Sequence, residues 1–281
     1  MTTIHTASPV IPTATGRFGA GLRMLGNETG KGLRVMWVHK GPLVVQLALM
    51  AVNYWIIQLF IGGGGFVDEL LAMTFAGYLA YVVSYMALLR MAAGLLEEMF
   101  TGTLEQSLLS PLRPWVQSIG RLAAAMVESL VTAAVVAVAY LVIFAVMDVE
   151  FTAHWSAVIP ALVTMADIAG FAMLIGGIAL IVNSIGAIVH VIQGFIMFGN
   201  GAFIPLFVFP DGLELAAKFV PSALGADATR RLITTNETLG DIWADGTLPW
   251  ALAHAALLLI LGWAVYQAAI RRGLREGRLG A

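Results

Sequence analysis

Long apolar runs alternate with short polar segments along almost the whole chain. A helix that crosses a bilayer needs about 20 predominantly apolar residues, and six runs in this sequence reach that length. Their approximate bounds are 42–61, 69–92, 119–147, 156–182, 185–207 and 249–270. The apolar stretch 155–209 is too long for one crossing, so a tight turn is expected at its most polar point, Asn183-Ser184. The pattern predicts an all-α membrane protein with six transmembrane helices.

The composition agrees with this interpretation and excludes several kinds of chemistry. Of 281 residues, 59% are hydrophobic and 11% are charged, whereas soluble domains are about 25% charged. The mean hydropathy is +0.88. The absence of cysteine excludes disulfides, thiolate metal sites and a cysteine nucleophile. The net charge of -2 gives no indication of a nucleic-acid partner.

The basic residues indicate how the chain is oriented. Most of the 15 Lys and Arg residues lie before the first run, between the second and third runs, or after the last. The loops on the other side contain Asp68, Glu69, Asp148 and Glu150. Because Lys and Arg favour the cytoplasmic side, both termini are predicted to be cytoplasmic and the protein to be multi-pass in the inner (plasma) membrane. We expect a cytoplasmic segment 1–41, a six-span domain 42–270 and a basic tail 271–281.

Two segments outside the spans carry apolar residues of their own. Within 18–37, the apolar side chains fall near one helical face among basic residues, which predicts an amphipathic helix in the membrane interface. The segment 203–232 is too apolar for a solvated loop, and it predicts a re-entrant hairpin of short helices before the last span. We expect this hairpin to close the outer exit, with the candidate gate residues Phe203, Pro205, Phe207 and Arg231.

The loop between the second and third spans predicts a short capped helix. Thr103 and Gln106 have the spacing of a capping box, and Ser110-Pro111 stops the helix. Leu104 and Leu108 form a small apolar ridge beside acidic residues. Such an element can dock into a cleft on another protein or can simply rest against its own bundle, and the residues alone leave both interpretations open.

Polar residues recur on one face of the fifth run. His190, Gln193, Met197 and Asn200 follow helical spacing, and lipid does not tolerate such a face. We expect it to line a substrate cavity, with Asn53 of the first run opposite, or else to pack against another helix.

Two carboxylates lie deeper in the predicted spans, Glu128 and Asp167. Ionisable groups in a bilayer need a partner or a function. Glu128 and His190 lie at similar depths, about 10 Å from the cytoplasmic ends of their spans, so the two are candidates for a pair.

No catalytic or metal site is predicted. The nearest match to a phosphate loop, "GNETGKG" at 26–32, has three residues between its glycines instead of four, and Gly32 stands where Ser or Thr binds magnesium. The five histidines lack metalloprotease spacing, and no Gly-x-Ser-x-Gly elbow occurs. No phosphate-binding loop is therefore predicted in this chain.

Two motifs carry a resemblance to a known family. The stretch Glu98 to Pro111, E-x-x-x-G-T-L-E-x-x-L-L-S-P, resembles the cytoplasmic coupling-helix loop of type-2 ATP-binding-cassette (ABC) exporter permeases. The stretch Gly201 to Pro210, G-A-F-I-P-L-F-V-F-P, followed by A-T-R-R-L at 228–232, is similar to that family's motif after the fifth span. One position departs from the pattern, because Phe100 stands where the family often has an acid.

The resemblance implies a mechanism and partners. A cytoplasmic ABC ATPase subunit would hold ATP and Mg and push on the coupling helix, whose candidate residues are Glu97, Glu98, Gly102, Thr103 and Glu105. The permease, which binds no cofactor itself, would dimerise with a second copy or a homologous chain. It would then move a small hydrophobic or amphipathic molecule outward by alternating access.

Three other functions stay open. The first is an ABC exporter of a lipid or lipid-linked glycan, for which a glycan would favour a continuous aromatic-lined channel. The second is an ion-coupled secondary transporter that uses Glu128, Asp167 and His190. That class often has inverted repeats, and none is evident in this sequence. The third is a membrane assembly subunit that transports nothing.

Overall fold

A computed structural model describes residues 14–38, 40–108, 114–149, 154–182, 185–235 and 237–276. Within these ranges the chain forms helices and connecting turns, without strands. The first six helices are α1 (Ala14–Val38), α2 (Lys40–Ile61), α3 (Asp68–Phe100), α4 (Thr103–Leu108), α5 (Pro114–Val146) and α6 (Val158–Ala179). The others are α7 (Ile185–Gly199), α8 (Asp211–Ala217), α9 (Ala223–Thr234), α10 (Leu239–Ala244) and α11 (Thr247–Glu276). Short 3-10 turns at Trp155–Ala157 and Leu206–Val208 precede α6 and α8.

Five of these helices are long and apolar enough to cross a membrane: α2, α3, α5, α6 with its preceding turn, and α11. Helices α2, α3 and α11 contain the predicted runs 42–61, 69–92 and 249–270, while α5 and α6 end one and three residues before the ends of the runs 119–147 and 156–182. The all-α membrane class predicted from the sequence is therefore confirmed. The predicted turn at Asn183-Ser184 lies outside the described residues.

The predicted span 185–207 is wrong as a continuous helix. Helix α7 has 15 residues, or about 22 Å at 1.5 Å per residue, which is shorter than the hydrocarbon core of about 30 Å. After α7 the chain turns at Gly201, where φ is +76°, and Pro205 is extended with ψ of 144°. Neither conformation continues a helix. The segment is nevertheless buried at Ala202 and Phe203, which is the condition under which non-helical backbone lies at membrane depth.

Helix α3 is the centre of the bundle. It contacts α5, α6, α7, α9 and α4, and it buries apolar residues along its length, from Leu71 and Phe75 to Leu88 and Leu95. Near its N-terminal end, aromatic rings from three other segments pack together. Tyr54 lies 4.5 Å from Tyr78 and 5.2 Å from Tyr140 between ring centroids.

Helices α6 and α11 form the most extensive contact between two helices. Small residues make it possible, as in other membrane helix pairs. A Cβ on Gly170 would overlap the backbone at Leu258 and Leu259, and one on Gly262 would overlap the carbonyl of Gly170. The two helices therefore lie close enough for side chains of α6 and α11 to contact each other.

Helix α1, predicted as an interfacial amphipathic helix, packs along α5. Glycines lower helix propensity, but Gly32 has a packing role here, because a Cβ on it would overlap the carboxylate of Glu128. An added Cβ on Gly19, Gly26 or Gly30 would meet nothing within 4 Å. Leu22 and Trp37 are 56% and 73% exposed, so α1 also presents apolar side chains outward. Its position in the membrane interface stays a prediction.

Candidate functional site

The α3–α4 junction contains the residues proposed to couple the chain to an ATPase. The amide of Thr101 donates to the carbonyl of Glu97 (3.0 Å), and the amide of Gly102 donates to that of Met99 (3.1 Å). Gly102 has φ of +68°, a left-handed conformation that favours glycine. The chain therefore reverses in two residues, and α4 begins at once. Leu104 of α4 is fully buried, which anchors the short helix against the bundle.

The described contacts of Thr103 are made with the end of α3. Its hydroxyl lies 2.9 Å from the hydroxyl of Thr101 and donates to the carbonyl of Glu98 at 3.4 Å. Thr103 is also the first residue of α4 rather than the residue before it, a one-residue shift of the predicted boundary. The capping box with Gln106 stays a prediction. Glu105 lies within α4, and its side chain is outside the described residues.

The adjacent acids Glu97 and Glu98 differ in their surroundings. Glu97 is exposed, whereas Glu98 forms an ion pair with Arg121 of α5. The Arg121 guanidinium also donates to the hydroxyl of Tyr266 on α11 at 3.3 Å, and Tyr266 is fully buried. One chain of contacts therefore connects the end of α3 to α5 and α11. The sequence analysis did not identify Arg121 or Tyr266 as site residues.

Glu128 and His190, whose pairing the sequence left open, have other partners. Glu128 of α5 is buried and pairs with Arg90 of α3 at 3.0 Å, while His190 Nδ1 lies 3.1 Å from Gln193 Oε1 on its own helix. A similar depth along two spans is not sufficient for a pair, because the two helices must also be neighbours and face each other. The sequence analysis did not identify Arg90 as a partner, although an Arg inside a span is a natural partner for a buried carboxylate.

The polar face of α7 divides into buried and exposed positions. Gln193 is 3% exposed and donates to the carbonyl of Tyr85 on α3 at 3.2 Å. Asn200 is 1% exposed and donates to the hydroxyl of Ser222 at 3.1 Å. These two amides connect α7 to other parts of the protein.

His190 of α7 and Asn53 of α2 are exposed. The amide of Asn53 contacts the sulfur of Met197 at 3.4 Å. The structure thus brings Asn53 to the α7 face, as the sequence analysis expected. Of the five candidate path residues, these three are the ones not fully enclosed within the chain.

Asp167 of α6 is the centre of a second buried network. Its Oδ1 lies 2.8 Å from Nδ1 of His254 on α11, and its Oδ2 accepts from the backbone amide of Ser222 at 2.7 Å. Ser222 precedes α9 and has φ of +73°. The network therefore holds the start of the hairpin helix α9 against the α6–α11 pair. The sequence analysis identified Asp167 without either partner.

The candidate gate residues lie in different surroundings. Phe203 is buried near Tyr78, with ring centroids 6.2 Å apart, and Pro205 is buried as well. Phe207 is 67% exposed, and the guanidinium of Arg230 lies 5.7 Å from its ring centroid. Within this chain, Phe207 is therefore not enclosed as Phe203 and Pro205 are.

Charged residues of α9 are paired with one another and with the segment before α11. Arg230 is buried and pairs with Asp227. Burial lowers the pKa of Arg230 and raises that of Asp227, and the attraction between the two opposes both shifts. Arg231 bonds Glu237 and the hydroxyl of Thr247, so it ties α9 to the segment before α10 and to the start of α11. Its hydrogen bond holds the pKa of Glu237 below its ordinary value.

Among the described residues, no group of His, Asp and Glu is arranged to hold a metal ion. Three other features are candidates for a functional role. They are the short helix α4 anchored to the bundle, the hairpin of α8 and α9, and the α2–α7 surface, which is formed by Asn53 of α2 with His190 and Met197 of α7. A family model described as "ABC-2 family transporter protein" matches residues 49–265, most of the chain. The chain belongs to the ABC-2 transporter family. A comparison with curated proteins gave no match.

Family membership explains the architecture of this ABC-2 protein. It is a multi-pass membrane protein and the membrane subunit of an ABC transporter. In such a system the ATPase is a separate partner. The matched region runs from within α2 to within α11, and it therefore includes the α3–α4 junction, the α7 face and the hairpin.

Proposed function

We propose that this chain is the permease subunit of an ATP-driven exporter that moves a hydrophobic or amphipathic small molecule outward by alternating access. The observation that carries the proposal is the connection from Glu98 through Arg121 to Tyr266, in a chain of the ABC-2 family. An ATPase that displaced α4 would act on the end of α3, and these contacts would pass the movement to α5 and α11. ATP and Mg would be bound by the ATPase subunit.

The proposed topology has six crossings, with α7 and the buried segment after it as the fifth. Both termini are cytoplasmic in the inner (plasma) membrane, α4 is cytoplasmic, and α8 and α9 are external. The basic residues Arg90, Arg121 and Arg275 lie toward the cytoplasmic ends of their helices in this arrangement, as the positive-inside rule favours.

We propose that the α2–α7 surface faces a second permease, either another copy or a homologous chain, and that the substrate passes between them. The spanning part of α2 is only 17% buried within the chain. Asn53 and His190 are exposed at membrane depth, where lipid is an unfavourable neighbour for polar groups. A second permease would cover both helices and enclose these side chains in a cavity.

The other functions receive less support. The aromatic side chains Tyr54, Tyr78 and Phe203 are buried against one another and do not line an open channel, which does not favour a long glycan substrate. The carboxylates that an ion-coupled transporter would need are paired, Glu128 with Arg90 and Asp167 with His254. A lipid exporter stays the alternative, since it needs the same apolar surface.

The first experiment identifies the partner. Affinity purification of the tagged chain in mild detergent is expected to recover an ABC ATPase in one-to-one ratio. After reconstitution into proteoliposomes, ATP hydrolysis should rise with a rhodamine dye for a drug-like cargo, or with a labelled phospholipid for a lipid cargo. Recovery without an ATPase, together with transport driven by a proton gradient, would contradict the proposal.

The second experiment tests the path. Asn53→Leu and His190→Leu are expected to change which dye is exported, with little change in thermal stability, because both side chains are exposed. Gln193→Leu and Asn200→Leu remove buried hydrogen bonds and should lower the melting temperature instead. If all four variants export the dyes as the wild type does, the α2–α7 surface is not the path.

A further inference from the structure

A cavity of about 350 Å³ lies between α3, α5, α6 and α9. Alanine is the most frequent residue in its lining, as at Ala80 of α3 and Ala134 and Ala137 of α5. The small side chains leave the space unfilled although the helices around it are in contact. Its volume is within the usual range of ligand pockets, about 300–1,000 Å³.

The polar side chains in the wall are two threonines, and both are satisfied locally. The hydroxyl of Thr164 donates to the carbonyl of Pro160 at 2.8 Å, and that of Thr229 donates to the carbonyl of Gly225 at 2.7 Å. A buried water needs two to four polar partners. This wall offers few, so the cavity favours an apolar occupant.

The cavity is open on the side of α5, because Leu130 and Ala134 of this helix line it and are exposed. Helix α5 packs extensively on α3 but makes few contacts with α6. Along α3 the cavity runs from Phe75 to Val83, about 12 Å at 1.5 Å per residue. It is therefore an elongated slot, and in the proposed topology its open side faces lipid.

The slot is separate from the proposed substrate path. Gly77 of α3 packs against Ala202 after α7, while Ala76 and Ala80 of the same helix face the slot.

We propose that the slot binds one acyl chain of an outer-leaflet lipid, which fills the space between α9 and the bundle. Ala226, Thr229 and Ile233 of α9 form its wall on the hairpin side. The unfilled space forfeits dispersion contacts along its lining, and an acyl chain restores them without any hydrogen-bonding requirement. Occupancy would hold α9 against α3 and α5. The assignment to the outer leaflet rests on the proposed topology.

The test uses the purified full chain in nanodiscs that contain a phospholipid with a photoreactive diazirine in its acyl chain. Crosslinked peptides are then mapped by mass spectrometry. Labelling is expected to concentrate on the lining segments of α5, α6 and α9. Ala134→Phe and Ala137→Phe fill the slot and should reduce this labelling to background. Ala139→Phe, at an exposed α5 position outside the slot, is the matched control.

A resident acyl chain should also stabilise the protein. Delipidated wild type is expected to melt at a lower temperature and to recover on addition of phospholipid, while Ala137→Phe should respond less. Uniform labelling along α5 and α6 in all variants would overturn the proposal. Displacement of the label by an exported dye would instead assign the slot to the substrate. Neither measurement needs an ATPase, so failure here is distinguishable from failure of the proposed exporter function.

Discussion

Asp167 on α6 and His254 on α11 are joined by a 2.8 Å hydrogen bond, and the second oxygen of the same carboxylate accepts from the amide of Ser222. One carboxylate thus satisfies two donors from separate parts of the chain. Asn200 donates to the hydroxyl of Ser222, so α7 joins the same network. The start of the hairpin helix is held from α6, α7 and α11 together.

The first prediction concerns this network. Asp167→Leu keeps a side chain of similar size and removes both oxygen acceptors, so the Ser222 amide and the His254 ring lose their partner. An unsatisfied buried group costs about 1–3 kcal/mol, and we expect the free energy of unfolding in detergent to fall by that amount. Glu69→Gln, at an exposed position of α3, removes the same charge without this loss. Equal stability of the two variants would show that the network contributes nothing.

The second prediction separates the two neighbouring acids of the α3–α4 junction. Glu98→Gln and Arg121→Gln break the contact between α3 and α5, so they should lower the melting temperature of the isolated permease and reduce ATPase stimulation by substrate. Glu97 is exposed, and Glu97→Gln should leave the melting temperature unchanged.

Two results would speak against this role of the ion pair. One is normal stimulation in the Glu98→Gln protein. The other is an equal drop in melting temperature for Glu97→Gln. Arg121→Lys keeps the charge and should retain part of the stimulation, because the ammonium can still reach a carboxylate, although it lacks the bidentate geometry of a guanidinium.

The third prediction concerns the turn before α4. Gly102 has φ of +68°, and an alanine in this conformation costs about 1–2 kcal/mol. Gly102→Ala should therefore displace α4 and weaken binding of the ATPase subunit by about tenfold per 1.4 kcal/mol lost. Gly94→Ala is the control, since an added Cβ there meets nothing within 4 Å. Affinity is measured by titration of the ATPase. Equal affinity for the wild type, Gly102→Ala and Gly94→Ala would show that this turn plays no part in docking.

The fourth prediction is a pH dependence of the hairpin. The hydrogen bond from Arg231 holds the pKa of Glu237 below its ordinary 4.5. An acid whose pKa is depressed by folding stabilises the folded state above its unfolded pKa, and this contribution is lost as the pH falls through the folded value. The tie between α9 and the segment before α10 should therefore weaken below about pH 4.5.

A cysteine introduced at the exposed Thr235 can report this change, since the chain contains no other cysteine. Its reaction rate is measured at each pH with a pyridyl disulfide, which reacts with thiols in acid as well as at neutral pH, and is normalised to a free thiol at the same pH. Wild type should show a rise in labelling as the pH falls below about 4.5, and Glu237→Gln should show higher labelling at every pH. Glu214→Gln on α8 is the control acid. An identical profile in wild type and Glu237→Gln would contradict the prediction.

Much of the architecture followed from local properties of the sequence. The apolar runs located α2, α3, α5, α6 and α11, because hydropathy over about 20 residues is a property of the segment itself. The short helix after Gly102 was predictable in the same way, since the signals that start and stop a helix act within a few positions. The hairpin of short helices was indicated by apolar residues outside any span.

The tertiary structure decided which residues become partners. Glu128 pairs with Arg90 and not with His190, and Asp167 pairs with His254, 87 positions away. Depth along a helix can be read from a sequence, but the rotation of each helix and its neighbours depends on packing of the whole bundle. The break after Gly199 was missed for the same reason. An apolar sequence is compatible with a longer helix there, and only burial against α3 and α9 satisfies a non-helical backbone in the membrane.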